Sequence, residues 1–233
     1  MMKMNIFGSR RKIVDDNLTL EYFLSLLDRA ENVFQKDNLG EKSTDYEYSV
    51  EDIKREPELD YVDDLASCHK CNACLERSIF AEPLLNPEPK ILFVSPMPEG
   101  AVIFSPSSND YFYKWLTAIN LGRKDIALTT LIKCPVKEFK KESADMCREH
   151  LRNEMNRLKP KTMVLLGKDV SSYMLRREGN MDEVFRKRKF SVNSIPVFCT
   201  YSPMDLVKNR ALRAPIWEDL KFISSFLKEG ENK

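Results

Sequence analysis

Glycine is scarce in this chain, 7 of 233 residues or about 3%, against an average usage of about 7%. Loops that press backbone against a phosphate or a base usually need glycine, so few such loops are expected. No run approaches the roughly 18 consecutive apolar residues of a membrane helix, and the opening MMKMNIFGSRRK lacks the apolar core of a signal peptide. A cytoplasmic protein without membrane contact is the expectation. Internal repeats and low-complexity stretches are absent as well. With 42% hydrophobic and 31% charged residues, a disordered tail, a collagen-like repeat and a coiled coil are excluded, leaving one globular domain with an appendage.

Net charge is also nearly absent, at +1, but its distribution is uneven. Residues 1–66 carry 9 Lys/Arg against 16 Asp/Glu, and residues 67–233 carry 28 against 20. An acidic arm therefore precedes a basic body. The body is a candidate for phosphate contact, and the arm for docking to a protein partner or screening the body.

Apolar periodicity predicts a helix over 18–35 after the cap Asn17, then an acidic, polar linker to about 64, with the domain boundary near Ala66. Four apolar runs bounded by breakers follow, KILFVS at 90–95, IALTTLI at 126–132, TMVLLG at 162–167 and IPVFCT at 195–200. Each reads as a buried strand. Amphipathic helices are expected between and after them over 111–121, 144–158 with Ser143 as cap, 169–177 and 216–228. The alternation implies an α/β fold, a four-stranded parallel sheet flanked by helices. In such sheets ligands bind beyond the carboxyl ends of the strands, so the loops after Ser95, Leu131, Gly167 and Thr200 hold the candidate site.

Six cysteines stand at 68, 71, 74, 134, 147 and 199. In a reducing compartment, the clustered CHKC and CNAC segments point to a metal or redox site rather than disulfides. Cys134 follows a strand and Cys147 falls in the first turn of a helix, where the dipole favours a thiolate. Four thiolates suit zinc or a [4Fe-4S] cluster, and a variant zinc site would use His150 or His69. The alternative for Cys134 and Cys147 is small core packing, and Cys199, inside an apolar strand, reads as inert.

The segment from Cys68 onward resembles the family 4 uracil-DNA glycosylases, an iron-sulfur branch of the uracil-DNA glycosylase superfamily. Cys68 and Cys71 lead to Arg77 and then NPEPKILFV at 86–94, TTLIKC ends at Cys134, KPKTMVLLG spans 159–167 and APIWEDLKFI spans 214–223. The resemblance covers about 67–222 and implies a three-layer sandwich. It also implies a cluster held by Cys68, Cys71, Cys134 and Cys147, with Cys74 spare.

It further implies base excision from DNA, in which a nucleotide is flipped out, gripped, and cleaved at its glycosidic bond while the base leaves as an anion. Phe104, in IFSPSSNDYFYKWL at 103–116, matches the stacking aromatic, with a core phenylalanine as the alternative. Several polar positions depart from the family. Thr130 stands where an amide reads the uracil edge, and Ser202 in TYSPMDL replaces a histidine that supports the departing base. Pro96 replaces a glutamate in the shortened SPMPEG loop, where Pro98 is retained and Glu99 is the remaining carboxylate. Met204 and Leu206 match an apolar wedge for duplex DNA. Lys208, Arg210 and Arg213, together with the four cations of FRKRKF at 185–190, suit phosphate contact or a solvated turn. Three outcomes remain in view, an enzyme of base-excision repair, a silent DNA- or partner-binding relative that keeps the fold, and a zinc-stabilised interaction module with the acidic residues 1–66 docking elsewhere.

Overall fold

The computed structural model describes residues 65–76 and 80–231. The helix expected over 18–35, the acidic linker and Arg77 lie outside the described residues.

All four expected strands form, as β1 (Ile91–Ser95), β2 (Ile126–Thr130), β3 (Thr162–Leu166) and β5 (Ile195–Thr200). They lie parallel, and β4 (Phe190–Val192) adds a fifth, antiparallel edge, giving the order β2-β1-β3-β5-β4. The sheet thus has five strands where four were expected. Only three residues of the basic FRKRKF segment and its continuation enter it, too few for an apolar run to announce. The turn Asn193–Ser194 has φ of 49° and 66°, the two positive values that a two-residue hairpin requires.

Successive residues of β1 alternate between two cores. Ile91 and Phe93 join Phe112, Trp115 and Leu116 of α2 (Pro106–Ala118) and Ile216, Leu220 and Ile223 of α6 (Arg213–Glu231). Leu92 and Val94 join Cys147, Leu151 and Met155 of α3 (Lys141–Leu158) and Val170 of α4 (Lys168–Leu175). Every side chain of β1, β2 and β3 is buried because helices cover both faces. Burying one Val, Leu, Ile or Phe contributes about 1.5–3 kcal/mol, so these layers dominate the stability of the domain.

Helix starts differ most from expectation. α3 begins at Lys141, with Lys140 at the cap position and no side-chain cap; Ser143 lies inside the helix. α2 begins at Pro106, a proline at the first turn where its missing N–H is no loss. Two helices end without glycine, Lys159 (φ 46°) closing α3 and Arg176 (φ 53°) closing α4 in the left-handed conformation. Lysine and arginine thus occupy ends where glycine is preferred, a consequence of its scarcity.

The chain runs from β1 to β2 on one side and then returns to place β3 on the other. The crevice between the carboxyl ends of β1 and β3 is therefore the switch point of the sheet.

Candidate functional site

The loops around that crevice converge on a short helix, α5 (Pro203–Lys208), which follows β5. Ser202 caps it, its Oγ accepting from the Asp205 N–H at 3.0 Å while the Ser202 N–H donates to Asp205 Oδ2 at 2.9 Å. This reciprocal box explains the sequence SPMD, with a capping hydroxyl, proline at the first position and a carboxylate three residues on. Gly167, between β3 and α4, has φ of 100° and donates its N–H to Thr200 O at 2.7 Å. A Cβ there would stand 3.4 Å from Asp205 Oδ2 and 3.6 Å from Ser202 Cβ. The glycine serves both the positive φ and the close approach of two loops. Asp169, in the first turn of α4, is pushed above its ordinary value by burial and then by the charge of Asp205.

On the β1 side, Ser95 and Thr130 are opposite one another at the strand ends, both buried. The Ser95 hydroxyl reaches Met204 Sδ at 4.0 Å. Pro96 is buried and accepts from the Ile132 N–H at 3.0 Å; Pro98 is buried beside it. Glu99 closes the loop to α2, its Oε2 accepting from the Ser105 N–H at 2.8 Å. Phe104 is 5% exposed and lies in the core, its ring centroid 5.3 Å from that of Phe112. Leu206 is 2% exposed and also fills the core, whereas Met204 is half-buried. Lys208, Arg210 and Arg213 are exposed along the same rim.

Two buried charge networks brace these loops. In the first, Arg186 donates from Nε to Asp219 Oδ2 at 2.7 Å and from a terminal nitrogen to Pro215 O at 2.7 Å, and it pairs with Asp182. Thr200 Oγ1 donates to the same Asp219 oxygen at 2.7 Å, and the Tyr201 hydroxyl donates to Asp182 Oδ2 at 2.8 Å. Burial opposes the guanidinium charge, but Asp219 and Asp182 outweigh it and hold Arg186 above its ordinary value. One of the four FRKRKF cations is therefore an interior strut, not a surface contact. In the second network Lys133 Nζ meets both oxygens of Glu154 and the Thr129 hydroxyl. Neither network was anticipated. A signal for the second was present, because Glu154 falls on the apolar stripe of α3 with Cys147, Leu151 and Leu158.

The cysteines gather beside this second network. Cys68 and Cys71 precede α1 (Asn72–Glu76), and Lys70 ties their loop to α3 through an ion pair with Glu149 at 2.5 Å. His150 Nε2 lies 3.4 Å from Cys68 Sγ. Cys147 is pushed up mainly by burial; the backbone N–H of Lys133 pulls it down, and the charges of Cys71 and Cys68 push it up again. Sulfur donors are of the kind that a thiolate-bound metal group takes. Cys134 is buried one residue beyond Lys133. Cys74 is turned into its own loop, its sulfur accepting from the Cys71 N–H at 3.2 Å and donating to Cys71 O at 2.8 Å. Among the described residues no three His, Cys, Asp or Glu side chains close up enough to hold a metal ion. Cys199 is buried in β5, its thiol pushed up to about 12 chiefly by burial.

Chemically, the crevice offers buried hydroxyls at the strand ends, a capped helix and an exposed cationic rim. A family profile described as the Uracil DNA glycosylase superfamily matches residues 82–221, a span that includes every strand. Two similar proteins both carry the name type-4 uracil-DNA glycosylase. The one from Sulfurisphaera tokodaii is 25% identical over 191 residues, covering 75% of this chain and 83% of the relative. The one from Archaeoglobus fulgidus is 23% identical over 184 residues, covering 70% and 90%. Among the described residues no helix is long and apolar enough to cross a membrane.

Proposed function

The chain belongs to the uracil-DNA glycosylase superfamily, and on that premise we propose that it acts on DNA in base-excision repair, hydrolysing the N-glycosidic bond of uracil or another deaminated base. The observation that carries this reading is the family match over the whole sheet, joined to exposed cations at Lys208, Arg210 and Arg213 beside the carboxyl ends of its strands. In the reaction, water adds to the sugar C1′ as the bond to the base breaks, the base leaves with the electron pair, and the proton that the water loses ends on the departed base. Phe104, beneath the loop that Glu99 closes, would form the floor for the flipped base, with Pro98 beside it and Thr130 at its edge. Ser202 retains a hydroxyl proton to donate to the departing base, since its oxygen lone pair is the part used by the cap. Met204 is the better placed of the two wedge residues, because Leu206 is committed to the core.

Cys68, Cys71, Cys134 and Cys147 would hold the cluster, with a four-cysteine zinc site as its rival. A [4Fe-4S] group there would cross-link the segment before β1 to the β2–α3 loop and to α3. Its contribution is structural, so the excision steps fall to the residues above. Residues 67–233 form the glycosylase-like domain in this reading, and the acidic residues 1–66 are an arm for a protein partner.

A second reading is a relative that binds DNA or a partner without cutting. It is favoured by one observation, that Glu99 and Ser202, two of the three polar candidates beside Thr130, both make local structural bonds. The test incubates anaerobically purified, iron-loaded protein with uracil-containing single- and double-stranded oligonucleotides, followed by alkali. Strand cleavage that depends on Phe104 supports excision. DNA binding without cleavage selects the second reading.

A further inference from the structure

We propose that the outer face of α6, centred on Trp217, is a stacking surface for single-stranded DNA passing out of the crevice. The inference rests on the DNA reading above and adds a contact that reading does not contain.

The chain has two tryptophans, and they sit in opposite environments. Trp115 is 7% exposed in the core, whereas Trp217 is 45% exposed although its neighbours Ile216 and Leu220 are buried. A single exposed apolar side chain needs no explanation by itself. What distinguishes Trp217 is its company. Arg213 and Lys221 lie four residues to either side, on the same helix face, and both are exposed. Lys221 Nζ stands 5.8 Å from the indole centroid. The acidic group on this surface, Glu218, is engaged by Lys187 at 2.6 Å. Cation, aromatic and cation therefore follow each other over about 12 Å of helix.

The position of α6 fits the same use. Asp219 accepts from Thr200 at the carboxyl end of β5, and Arg186 holds Pro215 O, so the first turns of α6 are pinned beside the crevice. A short 3-10 turn, Arg210–Leu212, leads directly from α5 into α6. Lys208, Arg210, Arg213, Trp217 and Lys221 thus form one exposed track leading away from the site. Positive grooves with interleaved aromatics are the usual means of holding a single strand, whose bases present their faces, whereas a duplex hides them. Lys221 can leave the ring for a phosphate, its charge being carried on a flexible four-carbon stem.

The test is made on the full chain. An oligothymidylate is titrated while tryptophan emission is followed, and a labelled copy of it is followed by anisotropy. Subtracting Trp217→Phe isolates the signal of Trp217. The expected result is saturable quenching at the anisotropy midpoint. Trp217→Ala should bind about tenfold more weakly, about 1.4 kcal/mol, with an unchanged unfolding midpoint, while Trp217→Phe binds nearly as the parent. A blunt hairpin duplex should leave the emission unchanged. Anisotropy binding without quenching, equal quenching by the duplex, or unchanged affinity in Trp217→Ala would remove α6 from the contact and leave the DNA reading standing. Failure to bind any DNA by anisotropy would remove that reading and this inference together.

Discussion

Lys133 Nζ lies 2.6 and 2.8 Å from the two carboxylate oxygens of Glu154, and both side chains are sealed from solvent, at 3% and 0% exposure. The pair joins the loop after β2 to the middle of α3, next to the cysteines. Burial alone drives Lys133 downward from its ordinary value, and the Glu154 charge is what opposes it.

Removing one partner should therefore cost more than removing both. Lys133→Met or Glu154→Leu alone is expected to destabilise the domain by about 3–5 kcal/mol, because each strands a buried charge. The double variant should recover most of that loss. Urea unfolding of the three proteins measures it, and simple additivity would show that the charges do not depend on one another.

The same pair illustrates what was legible in the sequence. The four long strands and their helices were readable because each buries a continuous apolar run or a helical stripe, and Leu92 or Val164 has no other stable place. The three-residue β4 was not, since its only signature is the Asn193–Ser194 turn. Arg186 shows the harder limit. In sequence it is one of four adjacent cations, yet it is buried while Lys187, Arg188 and Lys189 are exposed. Its partners Asp182 and Asp219 come from different elements, and only the packing of α6 against β5 selects it. The capping role of Ser202 was hidden because a serine in a histidine position invites a chemical reading first.

For the cysteines the expected pattern is selective. Single substitution of Cys68, Cys71, Cys134 or Cys147 by serine should lower the iron and sulfide content of anaerobically purified protein, whereas Cys74→Ser and Cys199→Ser should not. Cys74 has its sulfur occupied within its own turn, and Cys199 is buried in β5. Iron retained in all six variants would point away from these ligands, and stoichiometric zinc in place of iron would replace the cluster with a zinc site.

Alkaline pH should weaken the brace around β5. Burial, and then the bond to Asp182, push Tyr201 up to about 12, from about 10 in an unfolded chain. A folded pKa above the unfolded one means that the stabilisation is fully present below pH about 10 and is lost as pH rises toward about 12. Tyr201→Phe lacks both the hydroxyl and its titration. The stability difference between parent and variant should be constant up to pH about 10 and decline above it. Urea midpoints across that range, with tyrosinate absorbance to locate the ionisation, measure this; a flat difference would mean that the Tyr201–Asp182 bond makes no contribution.

Ser202 offers a way to separate structure from chemistry at the crevice. Its oxygen accepts from the Asp205 N–H and its own N–H is held by the same carboxylate, so Ser202→Ala should cost about 1 kcal/mol through the lost cap. Ser202→Asp keeps a cap acceptor but places a negative charge where a departing base anion would develop. If Ser202 serves only to cap α5, the aspartate variant should lose stability to the neighbouring Asp205 charge and, like alanine, should excise base only in proportion to the protein that stays folded. If its hydroxyl also supports the leaving base, the aspartate protein that stays folded should lose activity by about 10²-fold or more, the scale of a lost preorganised donor. Unfolding midpoints measured beside single-turnover excision distinguish the two, since only the second role uncouples rate from stability.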